Sequence, residues 1–175
     1  MDVVRALAYL HSLDTPVIHR DLKSKNILLS QELDAKLTDF GISRERIDRT
    51  MTAGVGTSLW MSPEVMLGES YDEKADIFSL GIVLAELSTH AMPYSHARRP
   101  GSPHKLPPIA ILHQVATGQL TVEFSKAGPE SMVQLGLACV STDPNDRPTA
   151  AEALVTLKTI VKQEIFGKDS VQDKG

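Results

Sequence analysis

Residues 76–87 constrain the fold most, because DIFSLGIVLAEL is apolar on nearly every side at helical spacing. A helix that is hydrophobic all round has to be buried on all sides. The apolar run 77–87 carries Glu86 and is too short to span a bilayer. The rest of the chain must therefore wrap this helix, and 175 residues are enough to do so as one domain.

Helical patterns dominate the remaining sequence. Apolar residues at helical spacing predict helices near residues 3–11, 108–117 and 129–140. Thr149 and Glu152 form a capping box that opens a final helix. Strand-like pieces occur at 17–19, 27–29 and 35–38, and the last two flank a polar connection suited to a hairpin. Residues 41–58 read as a long loop, and 93–108, with five of the 10 prolines, as an irregular insert.

Composition excludes several classes of protein. A single cysteine, Cys139, rules out an internal disulfide or a Cys-rich zinc site, and reads as a small buried hydrophobe. The histidines at 90, 96, 104 and 113 match no zinc pattern. The net charge of −4 disfavours general binding to nucleic acid. The N-terminus, with Asp2 and no long apolar core, does not read as a signal peptide.

Four side chains near the predicted hairpin suit phosphoryl transfer. This reaction needs negative charge neutralised and a nucleophile held in line. Asp21 can orient a hydroxyl and accept its proton, and Lys23 can sit on the transferring phosphoryl group. Asn26 begins one strand and Asp39 ends its partner, so an antiparallel pair brings these two oxygen ligands together.

Three clusters in order, HRDLKSKN (19–26), DFG (39–41) and SPE (62–64), resemble the catalytic loop, metal motif and APE-type motif of eukaryotic protein kinases. HRDLKSKNILL, DFGISR, GTSLWMSPE and CVSTDPNDRP resemble the tyrosine-kinase-like branch of serine/threonine kinases. The resemblance covers nearly the whole chain. It implies an α+β, mainly α, fold: a kinase C-terminal lobe at 1–167 with a small β-hairpin at the active-site face, and a polar tail at 168–175.

The resemblance also implies site residues. Asp21 would be the catalytic base, Lys23 would contact the γ-phosphate, and Asn26 and Asp39 would bind Mg²⁺. Leu28 would touch the adenine ring of ATP.

Further roles follow from the same resemblance. Thr57 would hydrogen-bond Asp21 and Lys23 and help dock the substrate. Glu64 and Arg147 would form a buried ion pair. Arg20 would bind an activation loop phosphorylated at Thr50 or Thr52, and His19 would stack with Phe40 in a spine anchored by Asp76.

The function implied is that of a serine/threonine protein kinase, which transfers the γ-phosphate of ATP to protein hydroxyls with Mg²⁺. We expect ATP, a protein substrate with Ser or Thr and an upstream kinase as partners, with no nucleic acid and no membrane segment, in the cytoplasm. The smaller N-terminal lobe of such kinases, with its Gly-rich loop and ATP-positioning lysine, is not among these 175 residues. The alternative is therefore a catalytically incompetent lobe that acts as a partner-binding scaffold, and nucleotide binding separates the two.

Overall fold

The computed structural model describes residues 1–39 and 58–169. Phe40, Gly41, Thr50, Thr52 and Thr57 lie outside the described residues, so the expectations placed on them stay predictions. Helices make up most of the described chain, and one two-stranded antiparallel sheet accompanies them. This arrangement agrees with the expected α+β, mainly α, class.

The helices and strands are packed around the central helix. In chain order they are α1 (Asp2–His11), β1 (Ile27–Leu29), β2 (Ala35–Leu37), α2 (Pro63–Met66), α3 (Lys74–Thr89), α4 (Pro108–Ala116), α5 (Glu130–Cys139) and α6 (Ala150–Asp169). Short 3₁₀ turns lie at Ser24–Asn26, Ser58–Trp60 and Pro144–Asp146.

Helix α3 is the central element, as its sequence requires. Its side chains enter two hydrophobic clusters at once. Ile77 and Leu80 pack in a cluster with α1, α5, α6 and the hairpin. Phe78 and Ile82 pack in a second cluster with Trp60 and α4. Because α3 lies between both clusters, apolar residues on its opposite faces are buried, and Leu87 near its end is the exposed exception at 64%.

A glycine allows α3 to approach α5 closely. A Cβ atom at Gly81 would lie 2.6 Å from Val140 Cγ1 and 2.8 Å from Cys139 Cβ. Both distances are shorter than real Cβ contacts, so the two helices pack through the missing side chain. Cys139 is buried at this contact, as the sequence predicted, and burial raises the pKa of its thiol to about 12.

The predicted elements differ from the observed ones in a few places. The strand-like segment 17–19 is not a strand, because its end is bound to Asp76 of α3 and has no strand to pair with. The short helix α2 was not predicted. The final helix continues through Gly167 to Asp169. Its capping box is present: Glu152 Oε2 accepts from the Thr149 amide at 2.7 Å, and Thr149 Oγ1 accepts from the Glu152 amide at 3.2 Å.

Within residues 1–39 and 58–169, no helix combines the length and apolar character that crossing a bilayer requires.

We expect Gly81→Ala to destabilise the domain by about 1–3 kcal/mol, because the added methyl group overpacks the contact between α3 and α5. Gly128→Ala is the matched control, since a Cβ there would meet nothing within 4 Å. Urea unfolding of both variants measures the difference. Equal unfolding midpoints for the two variants would contradict the close packing.

Candidate active site

Asp21 and Lys23 form the centre of the candidate site. Lys23 Nζ donates to both carboxylate oxygens of Asp21, at 2.8 Å and 2.7 Å. Their side chains are 27% and 14% exposed, so the pair is half-buried but open to a ligand. The structure therefore brings the expected base and the expected phosphate-binding lysine into direct contact.

Asn26 also donates to the Asp21 carboxylate. Its Nδ2 donates to the backbone oxygen of Asp21 at 2.8 Å and to Asp21 Oδ2 at 3.1 Å. Because the amide nitrogen is used in these two bonds, the carbonyl oxygen Oδ1 is the atom of Asn26 that suits a hard cation. Asn26 is buried, and the 3₁₀ turn Ser24–Asn26 holds its backbone in place.

The hairpin brings Asp39 to the same end as Asn26, one residue beyond the Asn26–Thr38 pair. Strands β1 and β2 pair in antiparallel register, with Ile27 opposite Leu37. The register continues one step further, since both the amide and Oγ1 of Thr38 donate to the Asn26 carbonyl, at 2.9 Å and 3.2 Å. Asp39 follows directly, exposed and with a left-handed φ of 61°. Asn26 and Asp39 thus share one end of the hairpin.

The donor set at this end of the hairpin fits Mg²⁺. One amide oxygen and one carboxylate are hard ligands, and protein-bound Mg²⁺ takes one or two carboxylates with substrate phosphates and water. In the described part of the chain, no three or more His, Cys, Asp or Glu side chains form a metal-binding cluster. A cation that is also coordinated by substrate phosphates does not need such a cluster of three or more side chains.

Asp76, near the start of α3, holds the backbone of the catalytic loop. Its carboxylate is 1% exposed. Oδ2 accepts from the His19 amide at 2.8 Å and Oδ1 from the Arg20 amide at 2.9 Å. His11 Nε2 lies 2.9 Å from Oδ2. Arg20 has a φ of 70°, so these bonds hold the chain in a conformation that a non-glycine residue rarely adopts.

His19 connects the catalytic loop to the hairpin. Its Nδ1 lies 3.3 Å from the Asp21 amide, and its Nε2 lies 2.9 Å from the Thr38 carbonyl. An amide donates and a carbonyl accepts, so these partners select the tautomer with its proton on Nε2. The buried ring thereby links Asp21 to Thr38, the residue before Asp39.

Arg20 and Leu28 are exposed where the family resemblance expects ligands. The guanidinium of Arg20 lies 6.0 Å from the centre of the Tyr71 ring and remains open to solvent. Leu28 on β1 is 56% exposed, so its side chain is free to cover an adenine ring. Both roles stay predictions, since the residues and ligands they would meet are not among those described.

Glu64 and Arg147 make the expected buried ion pair. Two hydrogen bonds join them, from Nη1 to Oε1 at 2.7 Å and from Nη2 to Oε2 at 2.8 Å. The remaining N–H groups of Arg147 reach the carbonyls of Ser141, Lys74 and Thr142. All five guanidinium donors are therefore satisfied, as a buried cation requires.

Opposing influences act on the pKa of Glu64. Burial is the strongest and would raise it, but the hydrogen bonds and positive charge of Arg147 outweigh burial. The net pKa of Glu64 is lowered from its ordinary value of 4.5. The carboxylate therefore stays ionised beside the guanidinium.

Sequence reasoning missed two contacts. His11 lies at the end of the predicted helix near residues 3–11, and its bond to Asp76 has no signal in the spacing. Glu86 accepts from Ser24 Oγ at 3.0 Å and from Trp60 Nε1 at 2.8 Å. A charged residue inside an otherwise apolar helix was the signal that could have singled out Glu86.

Comparison with known proteins agrees with this geometry. The family model described as "Protein kinase domain" matches residues 1–157. Among curated relatives, "Probable serine/threonine-protein kinase drkA" of Dictyostelium discoideum is 35% identical over 161 residues, which cover 91% of this chain and 24% of the relative. Human "Mitogen-activated protein kinase kinase kinase 11" is 35% identical over 172 residues, 93% of this chain and 19% of the relative.

Lys23 and Asn26 both contact Asp21 in a mainly helical domain that matches the protein kinase model. The chain belongs to the protein kinase family, and its relatives support the tyrosine-kinase-like branch. Members of this family use ATP and Mg²⁺. The chain spans about a quarter or less of the length of the relatives named above.

We expect Glu64→Gln to cost about 3–5 kcal/mol near neutral pH, because it leaves the buried Arg147 charge without its counterion. In the unmodified chain the lowered pKa of Glu64 makes the pair's contribution complete above about pH 4.5. That contribution is lost as the pH falls through the folded-state pKa.

Urea unfolding from pH 7 to pH 3 measures both effects. Glu130→Gln, which changes an exposed carboxylate bonded only to Gln134, is the matched control. If Glu64→Gln unfolds at the same urea concentration as the control at pH 7, the ion pair does not stabilise the domain.

Proposed function

We propose that this chain contributes the catalytic lobe of a serine/threonine protein kinase. The observation that carries the proposal is the convergence of Lys23 and Asn26 on the Asp21 carboxylate, with Asp39 at the adjacent end of the hairpin. The lysine supports serine or threonine as the acceptor, because the family resemblance associates Lys at this position with that class. The names of the relatives agree with this choice.

Asp21 would act on the acceptor hydroxyl. As the hydroxyl oxygen bonds to the γ-phosphorus, the bond from that phosphorus to the β–γ bridging oxygen breaks and ADP leaves. The hydroxyl proton passes to the Asp21 carboxylate. Hydrogen bonds from Asn26 and Lys23 hold this carboxylate in one orientation, so the base is positioned before substrate binds.

Lys23 would change partners during binding. In the free site its ammonium group lies within 2.8 Å of both Asp21 oxygens. An incoming phosphoryl group offers the same cation three further anionic oxygens. Bound ATP with Mg²⁺ supplies the phosphoryl group and neutralises its charge. Asn26 Oδ1 and the Asp39 carboxylate would hold that cation, and Leu28 would cover the adenine.

The activation segment and its regulation belong to the same proposal. Arg20 is exposed and presents its guanidinium beside Tyr71. A phosphate placed by an upstream kinase on Thr50 or Thr52 would pair with this cation, as phosphate and arginine do elsewhere. Thr57 would help dock the protein substrate.

We expect Mg²⁺ with ATP to raise the Tm of the 175-residue chain by about 3–5 °C at ten times the dissociation constant. Asp39→Ala should remove this shift, because it deletes the carboxylate that would hold the cation. Asp14→Ala, a change at another exposed aspartate outside the site, should retain it. Absence of any shift in the unmodified chain would contradict nucleotide binding and favour a scaffold.

We expect the 175 residues alone to transfer phosphate very slowly, since positioning dominates this chemistry and part of the ATP site is not in this chain. Joining the chain to the N-terminal lobe of a kinase relative should restore transfer to Ser or Thr peptides. In that protein Asp21→Asn should lower kcat by about 100-fold or more.

The measurement is incorporation of labelled γ-phosphate, with Asp14→Asn as the control. Robust turnover by the 175 residues alone would refute the need for the second lobe. A joined protein that binds ATP but transfers nothing would refute the proposed activity.

A further inference from the structure

Glu86 joins two segments of the chain that are far apart in sequence. It lies near the end of α3 and is half-buried. Oε1 accepts from Ser24 Oγ at 3.0 Å, and Oε2 accepts from Trp60 Nε1 at 2.8 Å. Both donors are neutral, so one carboxylate charge strengthens two hydrogen bonds at once.

The Ser24 contact acts on the turn that holds the candidate base. Ser24 opens the 3₁₀ turn Ser24–Asn26, and Lys23 precedes it. Lys23, which precedes Ser24, and Asn26, two residues after it, both donate to Asp21. A displacement of Ser24 would therefore also move Lys23 and Asn26, the two donors that orient the Asp21 carboxylate.

The Trp60 contact acts on the segment that leads into the Glu64 ion pair. Trp60 is 3% exposed, and its carbonyl accepts from Ser79 Oγ at 2.8 Å. Ser79 and Glu86 are seven residues apart, so they lie on the same face of α3. This face binds the Trp60 backbone through Ser79 and the Trp60 ring through Glu86.

We propose that Glu86 is a positioning residue that couples the Ser24–Asn26 turn to the Trp60 segment. A change at either donor shifts the shared carboxylate and so changes the bond to the other. The catalytic meaning of this coupling rests on the proposed function, since it concerns the turn that carries Asp21's partners. The coupling itself is a property of the folded chain.

Trp60 makes the coupling measurable, because it is the only tryptophan among the 175 residues. All indole emission from the chain therefore reports on the ring bound to Glu86. We expect Glu86→Gln to shift this emission to the red and to raise its quenching by acrylamide. An amide cannot accept from Trp60 with the nitrogen that replaces one oxygen.

Ser24→Ala is the decisive variant, because Ser24 reaches Trp60 only through Glu86 among the hydrogen bonds of the described residues. We expect it to change Trp60 emission and quenching in the same direction as Glu86→Gln. The double variant should show no more change than Glu86→Gln alone. Glu130→Gln, in a carboxylate bonded only to Gln134, should match the unmodified chain.

Urea unfolding and circular dichroism confirm that each variant is folded. Trp60 emission and quenching unchanged by Ser24→Ala would overturn the coupling. Additive changes in the double variant would overturn it as well, because the two residues would then act separately.

Addition of Mg²⁺ with ATP separates this inference from the proposed function. We expect nucleotide to change Trp60 emission in the unmodified chain and in Glu130→Gln, but not in Ser24→Ala or Glu86→Gln. If nucleotide neither raises the Tm nor changes emission, the proposed function fails, while the Ser24 and Glu86 variants still decide the coupling. If nucleotide raises the Tm and Ser24→Ala keeps the full emission response, the inference alone fails.

Discussion

The carboxylate of Asp76 is the interaction on which the catalytic loop depends. It is buried at the start of an apolar helix and accepts from two successive backbone amides, with His11 as a third partner. Burying such a group is costly unless its hydrogen bonds are made. Here the hydrogen bonds are made, because α1 supplies His11 and the loop supplies the amides of His19 and Arg20. Asp76 thus joins α1 and the loop to α3.

Two clusters of apolar side chains pack against α3 from both sides. They thereby fix the position of the helix that binds the catalytic loop. Polar side chains on this helix then make contacts outward, among them Asp76 to the catalytic loop, Ser79 to the Trp60 carbonyl, and Glu86 to Ser24 and Trp60. The site is therefore organised by the polar residues of an otherwise apolar helix. Glu64 and Arg147 secure the segment after Trp60 by a separate ion pair.

Local chemistry made part of this structure predictable from the sequence. The buried helix follows from its all-round apolar pattern, the capping box from Thr149 and Glu152, and the hairpin from two short apolar runs around a polar turn. The position of Asn26 and Asp39 at the same end of the hairpin follows from antiparallel pairing, and their role as metal ligands stays a prediction. The Glu64–Arg147 pair came from the family resemblance, because residues 83 positions apart carry no local signal.

The remaining features depend on tertiary contacts that no local pattern encodes. Residues 17–19 have strand-like composition, but the amide of His19 is bound to α3 instead of a neighbouring strand. Gly81 lies inside a helix and not in a turn, so the need for glycine follows only from the close approach of α5 to α3. Glu86 interrupts an apolar pattern, yet its two donors come from segments 62 and 26 residues away.

Asp76 binds amide hydrogens, which every residue except proline possesses, so its two bonds do not use the side chain at position 20, and the left-handed φ of 70° is what constrains the residue there. Arginine stands there, exposed beside Tyr71. Another residue that adopts this backbone conformation would therefore leave both bonds to Asp76 in place.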